Sequence, residues 1–240
     1  MINGRKNLAT ILALTATTAL VSCGKKDADK IGEAQLCLDK ATQATAAECK
    51  AMVDGIEKTG AYAIRCSANF IAEGFTQPAR FKQAFDAFDN NSTSNTEAFM
   101  SVMTFKNSGS TVDENLTVAN QTFEYCNKTG SKGLMLLGTM ASTSTTLAKV
   151  ANALSGTGTT PTSTDINNAL NDLKNNPSSG TNAATISAIG TVVSSTYAAS
   201  CQSGSASNQS ICEQLDEALN GVNISDPAAV GAAVIAKWSN

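Results

Sequence analysis

The stretch TAAECKAMVDGI, residues 45–56, decides the fold class. Thr45 and Glu48 have the spacing of a capping box, in which a hydroxyl and a carboxylate satisfy the orphan N–H groups at a helix start. Behind them Cys49, Met52, Val53 and Ile56 fall at i, i+3, i+4 and i+7. That is one face of a 3.6-residue repeat, and it places the cysteine on the buried side.

The same grammar recurs along the chain. Ser94 and Glu97 repeat the capping spacing, and apolar stripes follow at Phe81, Ala84, Phe85, Phe88; at Leu147, Val150, Ala151, Leu154; and at Ile166, Ala169, Leu170, Leu173. Ile64, Ala68, Ile71, Phe75 form a further stripe, as do Leu116, Ala119, Phe123, Cys126. Gly60, Gly74 and Gly130 stand where helices should end, and Pro78 and Pro227 suit first turns. No comparable period-2 alternation occurs. The spacing predicts helices over 28–43, 46–59, 61–75, 78–90, 95–106, 112–129, 131–155, 164–175, 182–202, 208–220 and 226–238. A break is expected within 139–146, TMASTSTT, because Ser and Thr compete for local backbone bonds. The fold class is therefore all-α, an irregular multi-helix bundle over 31–240. GTGTTPTS, 156–163, is a candidate subdivision point, and PSSGT, 177–181, a second linker.

The chain has seven cysteines and no histidine. The absent imidazole excludes Ser/His/Asp and Cys/His catalysis, HExxH zinc sites and CxxCH haem attachment. An odd count leaves one cysteine without a partner in the molecule. Setting Cys23 aside, Cys37, Cys49, Cys66, Cys126, Cys201 and Cys212 remain as disulfide candidates for an exported chain. Six allow fifteen pairings. Sequence alone does not choose among them; Cys37 with Cys49, Cys66 with Cys126 and Cys201 with Cys212 are the favoured set, the first and last because they flank expected helix-to-helix turns. Buried free thiols are the alternative.

The N-terminus explains the seventh thiol. A basic start with Arg5 and Lys6, an apolar run from Leu8 to Val21 and a small residue before Cys23 have the layout of a secretory signal peptide, residues 1–22. The run is shorter than the ~20 apolar residues of a bilayer-spanning helix. Its ending, LVSC, resembles the lipobox of bacterial lipoproteins. That resemblance implies a diacylglyceryl thioether on Cys23, cleavage before it, and the lipid bilayer as partner. Gly24 after the cysteine favours the outer over the inner membrane by the enteric sorting rule, with the periplasmic or surface face open. Residues 23–30 then form a lipidated tether, GKKDADK after the cysteine, reaching no more than about 25 Å. Removal of 1–22 leaves 15 basic against 20 acidic residues, a net charge of −5, which disfavours nucleic acid. IRCSANFIAEGF, 64–75, with CLDKA before it, resembles segments of envelope lipoproteins of Gram-negative bacteria. This resemblance implies a location and a disulfide-bearing N-terminal region, and no catalysis.

Candidate chemistry is sparse. DAFDNNSTSNTE, 86–97, has acids at the first and twelfth positions of a calcium loop, yet Phe88 occupies a ligand position and the sixth position lacks Gly. The Ser-x-x-Lys spacing occurs only at Ser22 and Lys25, across the cleavage point. Asp113 with Glu114 and Asp216 with Glu217 are paired acids that complement helix starts or solvate a surface. Phe70, Phe75, Phe81, Phe85, Phe88, Phe99 and Phe105 read as core, as does Trp238. No catalytic residue, metal or cofactor is assigned. The leading expectation is a lipid-anchored envelope protein acting as a binding or structural module toward an envelope protein or the cell wall. The alternatives are a carboxylate-dependent glycan hydrolase, for which two acids suffice, and a carrier of a small apolar ligand.

Overall fold

Apolar residues spaced at i, i+3 and i+4 bury one stripe per helix, and the stripes meet in three packed clusters. The computed structural model describes residues 26–80, 82, 95–156, 158, 160–201 and 209–239. Among them lie α1 (Asp27–Leu38), α2 (Ala46–Ala51), α3 (Thr59–Ala72), α4 (Asn95–Met103) and α5 (Val112–Asn127). They continue with α6 (Lys132–Ser155), α7 (Ser163–Asn175), α8 (Gly180–Ser200), α9 (Gln209–Ala218) and α10 (Pro227–Trp238). No strand occurs among the described residues. The fold is an all-α, irregular bundle. Of the expected helix 78–90, residues 78–80 and 82 are helical and the rest, with Phe81, Phe85 and Phe88, lies outside the described residues. The leader, Cys23, Ser22 and Lys25 lie outside them as well.

The first cluster joins α1, α2 and α3 through Ala34, Leu38, Cys49, Val53, Ile56 and Ile64. Cys37 and Cys49 are bridged, with Cα atoms 5.5 Å apart. α2 stops well short of the expected residue 59. After Ala51 the chain tightens into three-residue turns, Val53 N–H to Lys50 O and Ile56 N–H to Val53 O, and Gly55 takes φ 74°. A left-handed residue ends a helix, and glycine adopts it without a Cβ penalty. The buried Arg65 guanidinium donates a second hydrogen bond to Val53 O, at 2.6 Å, and so fastens the turn to α3. Val53 and Ile56 still reach the core, while Met52 of the same stripe is exposed. Gly60, expected at a helix end, lies in the first turn of α3. The Thr45–Glu48 box does not form: Thr45 Oγ1 instead accepts from the Thr42 N–H at 2.9 Å.

The second cluster packs α3 against α5 and the first half of α6. Phe70 meets Phe75 and Phe105 edge-on, at ring separations of 5.1 and 5.5 Å. The Cys66–Cys126 bridge ties α3 to α5, with Cα atoms 5.1 Å apart. On α5 the buried line is Val112, Asn115, Ala119, Thr122 and Cys126, while Leu116 and Phe123 are half-buried. The helix is thus rolled from the purely apolar stripe. Asn69 Nδ2 donates to Thr122 Oγ1 at 2.8 Å, which makes the polar position acceptable inside.

The third cluster is the largest, with Leu147, Ile166, Leu170, Leu173, Ile189, Val193, Val230, Val234 and Ile235 almost fully buried. Each such side chain contributes about 1.5–3 kcal/mol relative to exposure. The 156–163 connection joins α6 and α7, which both feed this cluster. α6 runs unbroken through 139–146. Thr139, Thr145 and Thr146 donate back to the carbonyls of Met135, Ala141 and Ser142 at 3.0, 2.7 and 2.8 Å, so the hydroxyls are satisfied within the helix. The caps that do form boxes are Thr111 with Glu114 and Thr162 with Asp165.

α1 starts at Asp27, inside the expected 23–30 tether. Asp27 and Asp29 sit in its first turn, where acids complement the dipole, and Lys58 pairs with Asp27 at 2.9 Å.

Candidate functional site

The site begins with a close approach. α8 and α10 cross backbone on backbone at Gly190 and Gly231. A Cβ on Gly190 would overlap Pro227 O and lie 2.6 Å from Pro227 C and 2.7 Å from Gly231 N. A Cβ on Gly231 would overlap Ile186 O. With α10 held this tightly on α8, its last turn stands across from the middle of α6, and α4 and α9 close the remaining sides. The half-open cavity between these helices measures about 530 Å³, within the range of small-molecule sites.

Its walls grade from hydroxyl-bearing and buried to apolar and half-open. Thr139, Thr143 and Ser144 of α6, with Val193 and Thr196 of α8, are inner residues less than 9 % exposed. Phe99, Leu136, Met140, Leu215 and Trp238 are half-buried around them. Among the described residues no carboxylate lines the cavity, and Lys237 is its one cation. Lys237 Nζ is held by Glu217 Oε1 at 2.6 Å. Thr139 and Thr196 hydroxyls bond one another. Thr143 Oγ1 is buried without a hydrogen-bond partner among the described residues.

α9 forms one wall and is fastened from three sides. The Cys201–Cys212 bridge ties it to the end of α8, with Cα atoms 5.3 Å apart. The Tyr197 hydroxyl donates to Asp216, and Glu217 takes Lys237. The Asp216 contact holds the Tyr197 phenol above its ordinary pKa. All six candidate cysteines are consumed in the three bridges expected. No family model, curated protein or solved structure matches this chain.

The remaining charged groups do structural work. Glu73 is completely buried, accepting from the backbone N–H of Lys106 at 2.8 Å and of Asn107 at 3.1 Å and from the Ser108 hydroxyl. Arg80 pairs with it at 3.8 Å, donates to Val102 O at 3.0 Å and Thr104 O at 2.6 Å, and stacks over Phe75 at 3.8 Å. Burial lowers the proton affinity of Arg80, and Glu73 opposes that. The pair pins the two loops at residues 73–80 and 102–108. Arg65 lies 5.3 and 5.6 Å from the rings of Tyr62 and Tyr125, with Lys50 and Lys128 also over these rings. Burial pushes the Lys50 amine down and the Tyr125 phenol up.

The paired acids are likewise engaged. Asp113 meets Lys149 at 2.7 Å, and Glu114 Oε2 accepts from the Ser110 N–H at 2.7 Å and the Thr111 N–H at 3.2 Å. Most of the 86–97 stretch lies outside the described residues; Glu97 is buried and accepts from Asn167 at 3.1 Å. Among the described residues no cluster of three or more potential metal ligands occurs, and no helix is long and apolar enough to cross a membrane. Trp238, expected in the core, stands half-buried at the cavity rim. Thr143 and Thr196 escaped sequence reasoning altogether, since a polar residue inside a helix carries no mark of facing a cavity.

Proposed function

We propose that the chain is an exported protein, acylated at Cys23 and held at an envelope membrane, with the outer membrane favoured. Its helical domain is a binding module for a small, mainly apolar ligand. The observation that carries the ligand reading is the 530 Å³ cavity with apolar rim and uncharged inner wall. Support for export comes from the LVSC ending at residues 20–23 and from three disulfides, which persist in oxidising compartments. A lipid anchor of two or more chains suffices for stable attachment, and a body so attached lies beside a reservoir of apolar molecules.

Native mass spectrometry of the mature protein, extracted gently from its own membrane, tests both halves. The expected mass begins at Cys23, carries a covalent acyl adduct, and shows a further non-covalent small-molecule adduct. An intact leader refutes the anchor. A ligand-free spectrum, with no uptake of added octanol, refutes the binding module.

A further inference from the structure

Resting on that reading of the cavity, we propose its ligand class: an uncharged, mainly apolar molecule with one hydroxyl or carbonyl oxygen, which pairs with Thr143. The inner wall distinguishes this from a bare hydrocarbon. Thr139, Thr145 and Thr146 on the same helix donate to carbonyls one turn back. Thr143 does not: it lines the cavity, is 3 % exposed, and its hydroxyl has no partner among the described residues. A buried hydroxyl left unpaired is costly, and a ligand oxygen is the partner this position lacks. The rim distinguishes the ligand from an anion. Lys237 is the only cation among the described residues that line the cavity, and Glu217 already holds it at 2.6 Å. A carboxylate head would meet a lysine whose charge Glu217 already balances, leaving a net negative charge in an otherwise uncharged lining, whereas a neutral head needs no counter-ion. The apolar rim of Phe99, Leu136, Met140 and Trp238 takes the remainder of the molecule.

Trp238 is the sole tryptophan and stands at this rim, so its fluorescence reports occupancy. Folded mature protein is titrated with 1-octanol, octanoate and octane at pH 8. Octanol is expected to bind at least ~10-fold more tightly than octanoate. Thr143→Val, which keeps the volume and removes the hydroxyl, should weaken octanol ~5–10-fold and leave octane unchanged, while Thr143→Ser retains octanol affinity. The empty Thr143→Val protein should melt at a higher temperature than the parent, since the orphaned hydroxyl is gone. Stabilisation with weakened binding is a signature that a purely structural threonine does not produce. Octanoate binding as tightly as octanol overturns the inference, as does equal loss of octane and octanol, or no loss, in Thr143→Val. Those results leave the cavity reading standing. Failure of all three probes to bind overturns both.

Discussion

Gly190→Ala adds a single methyl group where α8 meets α10, and its effect follows from the geometry. The new carbon would overlap Pro227 O and lie 2.7 Å from Gly231 N, whereas carbon–oxygen contacts between neighbouring backbones settle at about 3.3–3.6 Å. Both partners are backbone, so no side chain can swing aside. The helices must part by well over an ångström. A gap of 0.5–1 Å already forfeits roughly a quarter to a half of the dispersion well. The side chains that lose contact, Ile186, Ile189, Val193, Val230 and Val234, are all under 5 % exposed. Overpacking of this kind costs ~1–3 kcal/mol and more where the backbone cannot relax, against a gain of about 1 kcal/mol for replacing a helical glycine by alanine. Taking the upper end of that range, we expect a net loss of about 2 kcal/mol, which at ~2–4 °C per kcal/mol lowers Tm by roughly 4–8 °C. Gly32→Ala is the control: it sits inside α1 with nothing within 4 Å of the added carbon and should gain ~0.5–1 kcal/mol. Circular dichroism at the helical band during urea and thermal unfolding measures both. Equal stability of Gly190→Ala and the parent, to within ~0.5 kcal/mol, would refute the backbone-contact account.

Other outcomes follow from the same structure. Replacing both Cys66 and Cys126 by Ser opens a 60-residue loop and should cost ~4 kcal/mol, against ~3 for the 12-residue Cys37–Cys49 loop, read as urea midpoints under non-reducing conditions. Arg80→Met leaves the Glu73 carboxylate buried without its cation and should cost about 3–5 kcal/mol by the same assay. Hydrogen bonds from Ser110 and Thr111 hold the Glu114 carboxyl below its ordinary pKa. Its contribution to stability is therefore present above the unfolded-state value of about 4.3 and is lost as pH falls through the lower folded value. Glu114→Gln should give a shallower acid-denaturation slope over that window, and an unchanged slope would exclude the cap. Cys23→Ser should move the protein from the membrane to the soluble fraction, with continued pelleting of washed membranes as the contrary result.

What could be read from sequence was local. The stripe Ile166, Ala169, Leu170, Leu173 is buried throughout because one helix face answers to its own spacing. The cysteine connectivity was not fixed by sequence: short turns favoured Cys37 with Cys49 and Cys201 with Cys212, and the structure forms both, together with Cys66–Cys126. The errors share one cause, a tertiary partner that local pattern does not contain. α2 ends early where Gly55 turns and Arg65, from another helix, takes the Val53 carbonyl. The Ser/Thr run stays helical because its buried hydroxyls are taken up by carbonyls one turn back and by partners on neighbouring elements, Thr139 by Thr196, Ser142 by Asn120 and Thr145 by the Phe105 N–H. The cavity was illegible for the same reason: its walls come from five helices spread between Phe99 and Trp238. Gly190 and Gly231 look like weak points in two helices until the helices are brought together.

α6 spans 24 residues, about 36 Å. Leu134, Met140 and Ala141 belong to the aromatic cluster, and Leu147, Val150 and Ala151 to the large aliphatic one. It thus works as a common spar. Severing the backbone at 156–163 would not liberate two self-sufficient pieces, because the fragment that leaves takes its neighbour's wall with it. A nicked molecule should migrate as one body and melt in one step.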